Sequence, residues 1–102
     1  MAEEKNIENK IKEYLKTVEG LFYFKEHGGM YGTAGIPDLI ICYKGRFIGL
    51  EVKATNGKAT PLQDATIRKI NSAGGIALVV KSVDDAKLII EEVDELVKNQ
   101  TV

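Results

Sequence analysis

Two carboxylates and a lysine, Asp38, Glu51 and Lys53, are the residues of this sequence best suited to chemistry. Carboxylate oxygens are ligands that Mg²⁺ prefers, and one or two of them usually suffice beside several waters. A divalent cation held by Asp38, Glu51 and the backbone carbonyl of Val52 can activate water and neutralise charge on a phosphoryl oxygen. A nearby ammonium such as Lys53 can orient the water or stabilise the transition state. The combination predicts hydrolysis of a phosphodiester.

A predicted β-hairpin brings these residues together. Its strands, residues 38–43 and 46–54, are separated by Lys44-Gly45, which is the length of a tight hairpin loop with glycine supplying a positive φ. A two-residue loop sets the register, in which Asp38 lies opposite Glu51. The other pairs that this register predicts are Tyr43 with Arg46, Cys42 with Phe47 and Ile40 with Gly49.

Two carboxylates in this position need a compensating charge. Directly opposed side chains have Cβ atoms about 4.5–5.5 Å apart, and like charges there destabilise a sheet. Lys53 points to the same face roughly 7 Å from Glu51, because a strand rises about 3.3 Å per residue. Gly49, beside Glu51, is expected to leave room at the site. Alternatively, Asp38 caps a turn while Glu51 and Lys53 form an exposed pair on a sheet edge. That alternative leaves unexplained three charges at the end of a hairpin whose strands are mostly apolar, where unpaired charges are costly to bury.

The elements that position these residues are predicted to follow the order αβββαβα. The first helix is predicted from apolar residues at spacings of three, four and seven, and two later helices from N-capping patterns at Thr60-Pro61-Leu62-Gln63 and Ser82-Val83-Asp84-Asp85. The predicted ranges are helix 3–19, strand 21–25, a glycine-rich loop 27–35, the hairpin, helix 61–72, strand 76–81 and a final helix from 83 to 97.

The strand–helix–strand order over residues 46–81 predicts a crossover with parallel strands, and therefore a mixed sheet. Both faces of the hairpin strands carry apolar residues, so we expect helices on both sides of the sheet, as in an α/β protein. The 102 residues, 44 % of them apolar, are predicted to form a single domain over 1–102. The single Cys42 has no partner for a disulfide and is interpreted as a small buried apolar residue.

The spacing of Pro37-Asp38, twelve intervening residues and Glu51-Val52-Lys53 resembles the PD-(D/E)xK nuclease superfamily, and in particular its VRR-NUC domain. The resemblance covers roughly residues 4 to 81. Its supporting features are Gly35-Ile36-Pro37-Asp38-Leu39-Ile40, Gly45-Arg46, Pro61-Leu62-Gln63 and Gly74-Gly75 before a strand. It implies a restriction-endonuclease-like αβββαβ core with a mixed sheet flanked by helices, to which this chain adds a C-terminal helix.

The resemblance also implies a function and a set of roles. It predicts a DNA endonuclease that depends on Mg²⁺ or Mn²⁺, is selective for branched DNA such as Holliday junctions, and acts as a homodimer of phage or prophage type. Asp38 and Glu51 would be metal ligands and Lys53 the catalytic lysine. The superfamily often adds an acidic residue from the first helix as a further ligand. We expect Glu8 in that place, because it lies about 100° from Ile7, at the edge of the apolar stripe, whereas Glu4 is close to the helix start.

Gln63 has two interpretations that the sequence leaves open. As the third residue after the Thr60 cap, it completes a capping box by reaching back to the cap amide. It also occupies the position at which the resemblance implies a glutamine beside the catalytic lysine. The first role is structural and the second catalytic.

The distribution of charge permits a DNA partner despite a formal net charge of −1. Residues 20–81 hold eight Lys or Arg against four carboxylates, while both ends of the chain are acidic. Phosphate binding needs such cationic side chains, although exposed charge is usually only solvated surface. The candidate nucleic-acid contacts are Lys25, His27, Tyr31, Lys58, Arg68 and Lys69.

Two other functions fit the same fold: a non-catalytic DNA-binding module, and a protein-interaction subunit that uses its acidic helices. The presence of all of Asp38, Glu51 and Lys53 favours the nuclease. The apolar face of the last helix can pack on the sheet or on a second copy. No organic cofactor and no membrane partner are expected, and the predicted location is the cytoplasm of a bacterial host or phage-infected cell, since no apolar run approaches the roughly 20 residues of a membrane span.

Overall fold

The computed structural model describes residues 2–27 and 34–100, and over these ranges the elements follow the predicted order αβββαβα. The fold is α/β, with four strands in one mixed sheet and helices packed against it. The elements are α1 (Ala2–Thr17), β1 (Leu21–Lys25), β2 (Leu39–Tyr43), β3 (Arg46–Val52), α2 (Pro61–Ser72), β4 (Ile76–Val80) and α3 (Val83–Gln100).

The β2–β3 hairpin has the register that the two-residue loop predicted. Both loop residues have positive φ, 51° at Lys44 and 77° at Gly45, which are the signs that a type I′ turn requires. The observed pairs include Tyr43 with Arg46, Cys42 with Phe47 and Ile40 with Gly49. The ladder ends at Leu39 with Leu50, so β2 begins one residue later than predicted.

The sheet has the strand order β1-β2-β3-β4, with β1 and β2 antiparallel and β3 and β4 parallel. The predicted crossover through α2 is therefore confirmed. One face of the sheet carries Ile48, Leu50 and Val52, each at most 1 % exposed. The same core cluster includes Ile11 of α1 and Val93 of α3, so the first and last helices cover this face.

Helices lie on both sides of the sheet, as predicted, but the opposite face is covered only in part. The helix α2 has no buried residue and contacts β3 and β4, where Ile70 lies close to Gly75 and Phe47. Over β1 this face is open, since Phe22 is 65 % exposed and Phe24 is 46 % exposed, whereas Ile40 of β2 is buried. Cys42 on the same face is exposed rather than buried, because α2 packs mainly against β4 and β3.

The helices begin at the predicted capping residues. At α2 the box is complete: Thr60 Oγ1 accepts from the Gln63 amide at 3.2 Å, and Gln63 Oε1 accepts from the Thr60 amide at 2.9 Å. At α3 only half of the box forms, since Ser82 Oγ accepts from the Asp85 amide while the Asp85 carboxylate accepts from the Lys81 amide. None of the helices within the described ranges is long and apolar enough to cross a membrane.

Candidate active site

Asp38 is held beside Glu51 at the end of the hairpin. Continuing the observed register by one pair places the two residues opposite each other, as predicted. Asp38 Oδ2 accepts a hydrogen bond from the Val52 amide at 2.9 Å, and the Asp38 carbonyl accepts one from the Glu26 amide at 2.8 Å. These two bonds fix the Asp38 carboxylate against β3, one residue outside β2.

Glu51 is a buried carboxylate that lacks a full set of partners. The whole residue is only 2 % exposed. Its Oε2 atom accepts from Gln63 Nε2 at 3.1 Å and lies 3.6 Å from Lys53 Nζ. Its Oε1 atom is buried and has no hydrogen-bond partner among the described residues. A buried carboxylate oxygen without a partner is energetically costly, so this position suits either a proton or a cation.

The electrostatics of Glu51 agree with that geometry. Burial first, and the neighbouring Asp38 carboxylate second, raise the pKa of Glu51 to about 8, although Lys53 acts to lower it. Without a further positive charge, the two carboxylates therefore favour holding a proton between them. A cation at the same position would favour the ionised form of both side chains.

Gln63 makes the capping contacts of the first predicted role, and it also contacts the candidate site, where the second role would place it. Its Oε1 atom accepts from the Thr60 amide in the capping box, while its Nε2 atom donates to Glu51 Oε2 at 3.1 Å. An amide group can do both because it carries an acceptor and two donors. The capping box thus fixes the orientation of the amide that contacts the carboxylate.

Pro37 fills the space beside Gly49. This corrects the expectation that the glycine leaves room at the site. A Cβ atom at Gly49 would lie 2.9 Å from Pro37 Cγ and 3.7 Å from Ala77 Cβ. Pro37 is fully buried. Gly49 is therefore needed to seat the proline that precedes Asp38, and it acts on the site through Asp38.

Glu8 is buried, at 7 % exposure, as expected for the acidic residue that α1 directs toward the site. Its Oε1 atom accepts from Lys25 Nζ at 2.8 Å, and its Oε2 atom lies 3.0 Å from Lys12 Nζ. Burial raises the pKa of Glu8, but the hydrogen bonds from Lys25 and Lys12 outweigh this effect and lower it overall. Lys25 Nζ is also 3.4 Å from Asp38 Oδ1, so it links Glu8 to the hairpin.

The arrangement of the predicted ligands fits a divalent cation held by Asp38 and Glu51 better than one held by these two carboxylates and Glu8 together. In residues 2–27 and 34–100, no group of three or more acidic, histidine or cysteine side chains is arranged to hold one ion. Lys25 lies between Glu8 and Asp38 instead. The unpartnered Glu51 oxygen, Asp38 and the adjoining Val52 peptide remain, and this small oxygen set fits Mg²⁺, which keeps several waters when bound to proteins.

The loop that follows Lys53 is tied to both neighbouring elements. Lys53 itself continues the parallel pairing, since its amide donates to the Val80 carbonyl at 3.0 Å. Two residues later, Thr55 donates through Oγ1 to Glu3 of α1 at 2.6 Å, and its carbonyl accepts from Lys81 Nζ at 3.1 Å. These contacts limit the freedom of the backbone that carries the candidate catalytic lysine.

The described candidate DNA contacts differ in their surroundings. Lys25 is engaged with Glu8 and Asp38, whereas His27 and Lys58 are exposed. Arg68 and Lys69 are exposed on α2 and line a shallow pocket of about 540 Å³. Because a helix turns about 100° per residue, both lie more than about 100° away from the direction of Gln63. Tyr31 lies outside the described residues. The roles of these residues in DNA binding stay predictions.

Two contacts within the site were not anticipated from the sequence, although signals for both are present. Lys12 follows Glu8 by four residues, which is the spacing of an ion pair on one helix face. Lys25 lies on the same side of β1 as Leu21 and Tyr23, and these two residues pack against the core cluster. A lysine on the packed side of a strand requires a buried partner, and here the partner is Glu8.

The comparisons with known proteins concern the fold. No family model matches the sequence, and no curated protein is significantly similar to it. A solved structure named "VRR_NUC domain" has a TM-score of 0.67 and 25 % sequence identity, over 96 % of this chain and 97 % of that chain. A second, named "VRR_NUC domain protein", has a TM-score of 0.68 and 24 % identity, over 93 % of this chain and 88 % of that chain. These neighbours confirm the resemblance predicted from the sequence, and this chain has the fold of VRR_NUC domains.

Proposed function

We propose that this protein is a DNA endonuclease that requires Mg²⁺ or Mn²⁺ and hydrolyses phosphodiester bonds. The observation that carries the proposal is the convergence of Asp38, Lys53 and Gln63 on Glu51, whose buried Oε1 atom has no partner among the described residues. A purely structural ion pair would be expected to satisfy both carboxylate oxygens. The nuclease-type fold of the structural neighbours supports the same assignment.

Each residue has a proposed task. Asp38, Glu51 and the Val52 carbonyl would hold the divalent ion, which supplies water activation and charge neutralisation when bound. Lys53, whose ammonium lies 3.6 Å from Glu51, stabilises negative charge that develops on the scissile phosphate. Gln63 keeps the Glu51 carboxylate in one orientation through its hydrogen bond. Preorganised groups of this kind lower a reaction barrier because they need no rearrangement during the reaction.

The proposed substrate is branched DNA, such as a four-way junction. This choice rests on the family resemblance of the sequence, and the dispersed cations are compatible with it. Lys58 lies in the loop after β3, while Arg68 and Lys69 lie on the outer side of α2. Cations on separate surfaces can contact separate duplex arms, because each supplies a phosphate contact independent of base sequence.

The test is cleavage of duplex, flap, single-stranded and four-way-junction DNA with Mg²⁺, with Mn²⁺ and with a chelator. We expect cutting of branched DNA only with metal, and loss of cutting in Asp38→Asn and Lys53→Ala. Arg46→Ala is a suitable control, because Arg46 lies at the far end of the hairpin. Metal-dependent cutting that survives Asp38→Asn would overturn the site. Metal-independent binding of DNA with no cutting of any substrate would instead support a non-catalytic DNA-binding module.

We also propose that the active form is a two-fold homodimer. The apolar face of α3 is used within the chain, where Ala86, Ile90 and Val93 are buried. The open side of the sheet, with Phe22 and Phe24 exposed, is therefore the proposed contact surface. Sedimentation should give a dimer at micromolar concentration that Phe22→Lys dissociates. A monomer, or a dimer that Leu88→Lys on α3 dissociates instead, would contradict this choice of surface.

A further inference from the structure

We propose that the Lys25 ammonium is a built-in second cation of the site, so that each chain binds one divalent ion. This inference rests on the proposed function, because it concerns the metal that Asp38 and Glu51 would hold. It assigns Lys25 a positioning role in place of the DNA contact predicted from the sequence. It also changes the role of Glu8, from a metal ligand to the residue that holds Lys25.

The contacts of Lys25 carry the argument. Its Nζ atom lies 2.8 Å from Glu8 Oε1 and 3.4 Å from Asp38 Oδ1. It thus occupies the space between two carboxylates in which a shared second metal ion would have to lie. An ammonium is a compact point charge with three donors, and it can balance two carboxylates without any fixed coordination geometry.

The surroundings of Lys25 keep it in this position. Its backbone pairs with Leu39 in the β1–β2 ladder, and its side chain is only 24 % exposed. Glu8, its closer partner, is buried and is further fixed by Lys12 at 3.0 Å. A second divalent ion would have to displace Lys25 from both carboxylates, and the displaced ammonium would remain close to that ion.

The balance of charge leads to the same count. With all three ionised, as a bound cation would favour, Glu8, Asp38 and Glu51 carry three negative charges, and three lysine ammonium groups lie within 3.6 Å of them. These lysines are Lys12, Lys25 and Lys53. The contacts are uneven, because Glu8 has two close lysines while the Oε1 atom of Glu51 has no hydrogen-bond partner among the described residues. The remaining demand for positive charge is therefore at Glu51 and Asp38, and not at Glu8.

The test counts Mn²⁺ bound per chain in the absence of DNA, by isothermal titration calorimetry and by the electron paramagnetic resonance signal of free Mn²⁺. We expect one ion per chain in the wild type and two in Lys25→Met, which removes the charge and keeps much of the side-chain length. Lys12→Met is the matched control, because Lys12 contacts Glu8 but has no contact with Asp38. That variant and Lys25→Arg should each bind one ion.

Two results would overturn the inference: two ions per chain in the wild type, or one ion in folded Lys25→Met. If Lys25→Met does not fold, Glu8→Gln provides a second measurement. It should still bind one ion, because Asp38 and Glu51 are intact, and a complete loss of Mn²⁺ binding would show that Glu8 is a ligand.

The outcome is separable from that of the proposed function. A wild type that binds two ions and cuts DNA overturns the inference alone. A wild type that binds one ion and cuts no DNA overturns the endonuclease, while the inference about Lys25 stands if Lys25→Met gains the second ion. A wild type that binds no Mn²⁺ overturns both.

Discussion

Replacing Gly49 with alanine should damage the site from a distance, through Pro37. The added Cβ atom would lie 2.9 Å from Pro37 Cγ and 3.3 Å from Pro37 Cβ. Ordinary carbon contacts are about 3.5–4.0 Å, so the proline must move by about 0.6 Å or more. Pro37 is fully buried and cannot turn into solvent. Overpacking of this kind typically lowers the free energy of unfolding by about 1–3 kcal/mol.

The same shift should reach the chemistry, because Asp38 is the next residue. A movement of several tenths of an ångström would disturb the 2.9 Å hydrogen bond between Asp38 Oδ2 and the Val52 amide. Misplacement by about 1 Å can reduce an enzymatic rate by about 100-fold. We therefore expect a loss of DNA cleavage of about 10- to 100-fold in Gly49→Ala, beyond what its fraction unfolded explains.

The assay is a double-mutant cycle of Gly49→Ala with Pro37→Ala, measured by urea unfolding and by cleavage under conditions in which all four proteins are folded. Pro37→Ala removes the Cγ atom and leaves the 3.3 Å contact with the Cβ atom of residue 37, beside the ordinary 3.7 Å contact with Ala77 Cβ. Gly49→Ala should then be less harmful in the Pro37→Ala background, with a coupling of about 0.5–3 kcal/mol, the usual range for residues in contact. An equal loss in both backgrounds, or no loss in the wild-type background, would refute the reasoning.

Three further predictions concern the neighbouring groups. The pKa of Glu51 is raised from 4.5 to about 8 in the folded protein. Its contribution to stability is therefore present below pH 4.5 and is lost as the pH rises through about 8. Urea unfolding of the metal-free protein should show a falling free energy of unfolding over that pH range. Glu51→Gln should remove this dependence while the exposed Glu13→Gln retains it, and parallel pH curves for both variants would contradict the assignment. Gln63→Glu keeps the acceptor of the capping box but places another carboxylate, besides Asp38, next to Glu51. DNA cleavage should therefore fall although α2 remains capped. Unchanged cleavage would show that the Nε2 contact is dispensable. Tyr43→Phe deletes the 2.7 Å hydrogen bond to Asp94 and should lower the free energy of unfolding by about 0.5–1.5 kcal/mol in urea unfolding, with cleavage unaltered; a loss of cleavage would mean that this contact reaches the site.

The sequence was sufficient for the parts of the fold that depend on local geometry. Lys44-Gly45 set a two-residue turn, and counting back from it gave every observed pair down to Leu39 and Leu50, one pair before Asp38 and Glu51. The α2 cap followed from Thr60 and Gln63 in the same way, because a capping box involves residues only three apart. The family resemblance used some of these residues, among them Asp38, Glu51 and Gln63.

The tertiary structure decided what lies between elements that are distant in the chain. The occupant of the space at Gly49 could not be derived from the hairpin, because Pro37 reaches it from outside the paired strands. The exposure of Cys42 and Phe22 depended on where α2 lies across the sheet, which local periodicity does not contain.

The partners of Lys25 show the same difference between what local geometry determines and what packing determines. The alternation of β1 carries a signal that Lys25 lies on the packed face, but its partner Glu8 is 17 residues away and belongs to a different element. Helical geometry placed Glu8 at the edge of an apolar stripe but did not determine which cationic side chain contacts it. The sequence by itself determined which side chains share a face, since that follows from the repeat of each element. Only packing decided which faces meet, and therefore that a lysine separates the carboxylates of α1 and the hairpin.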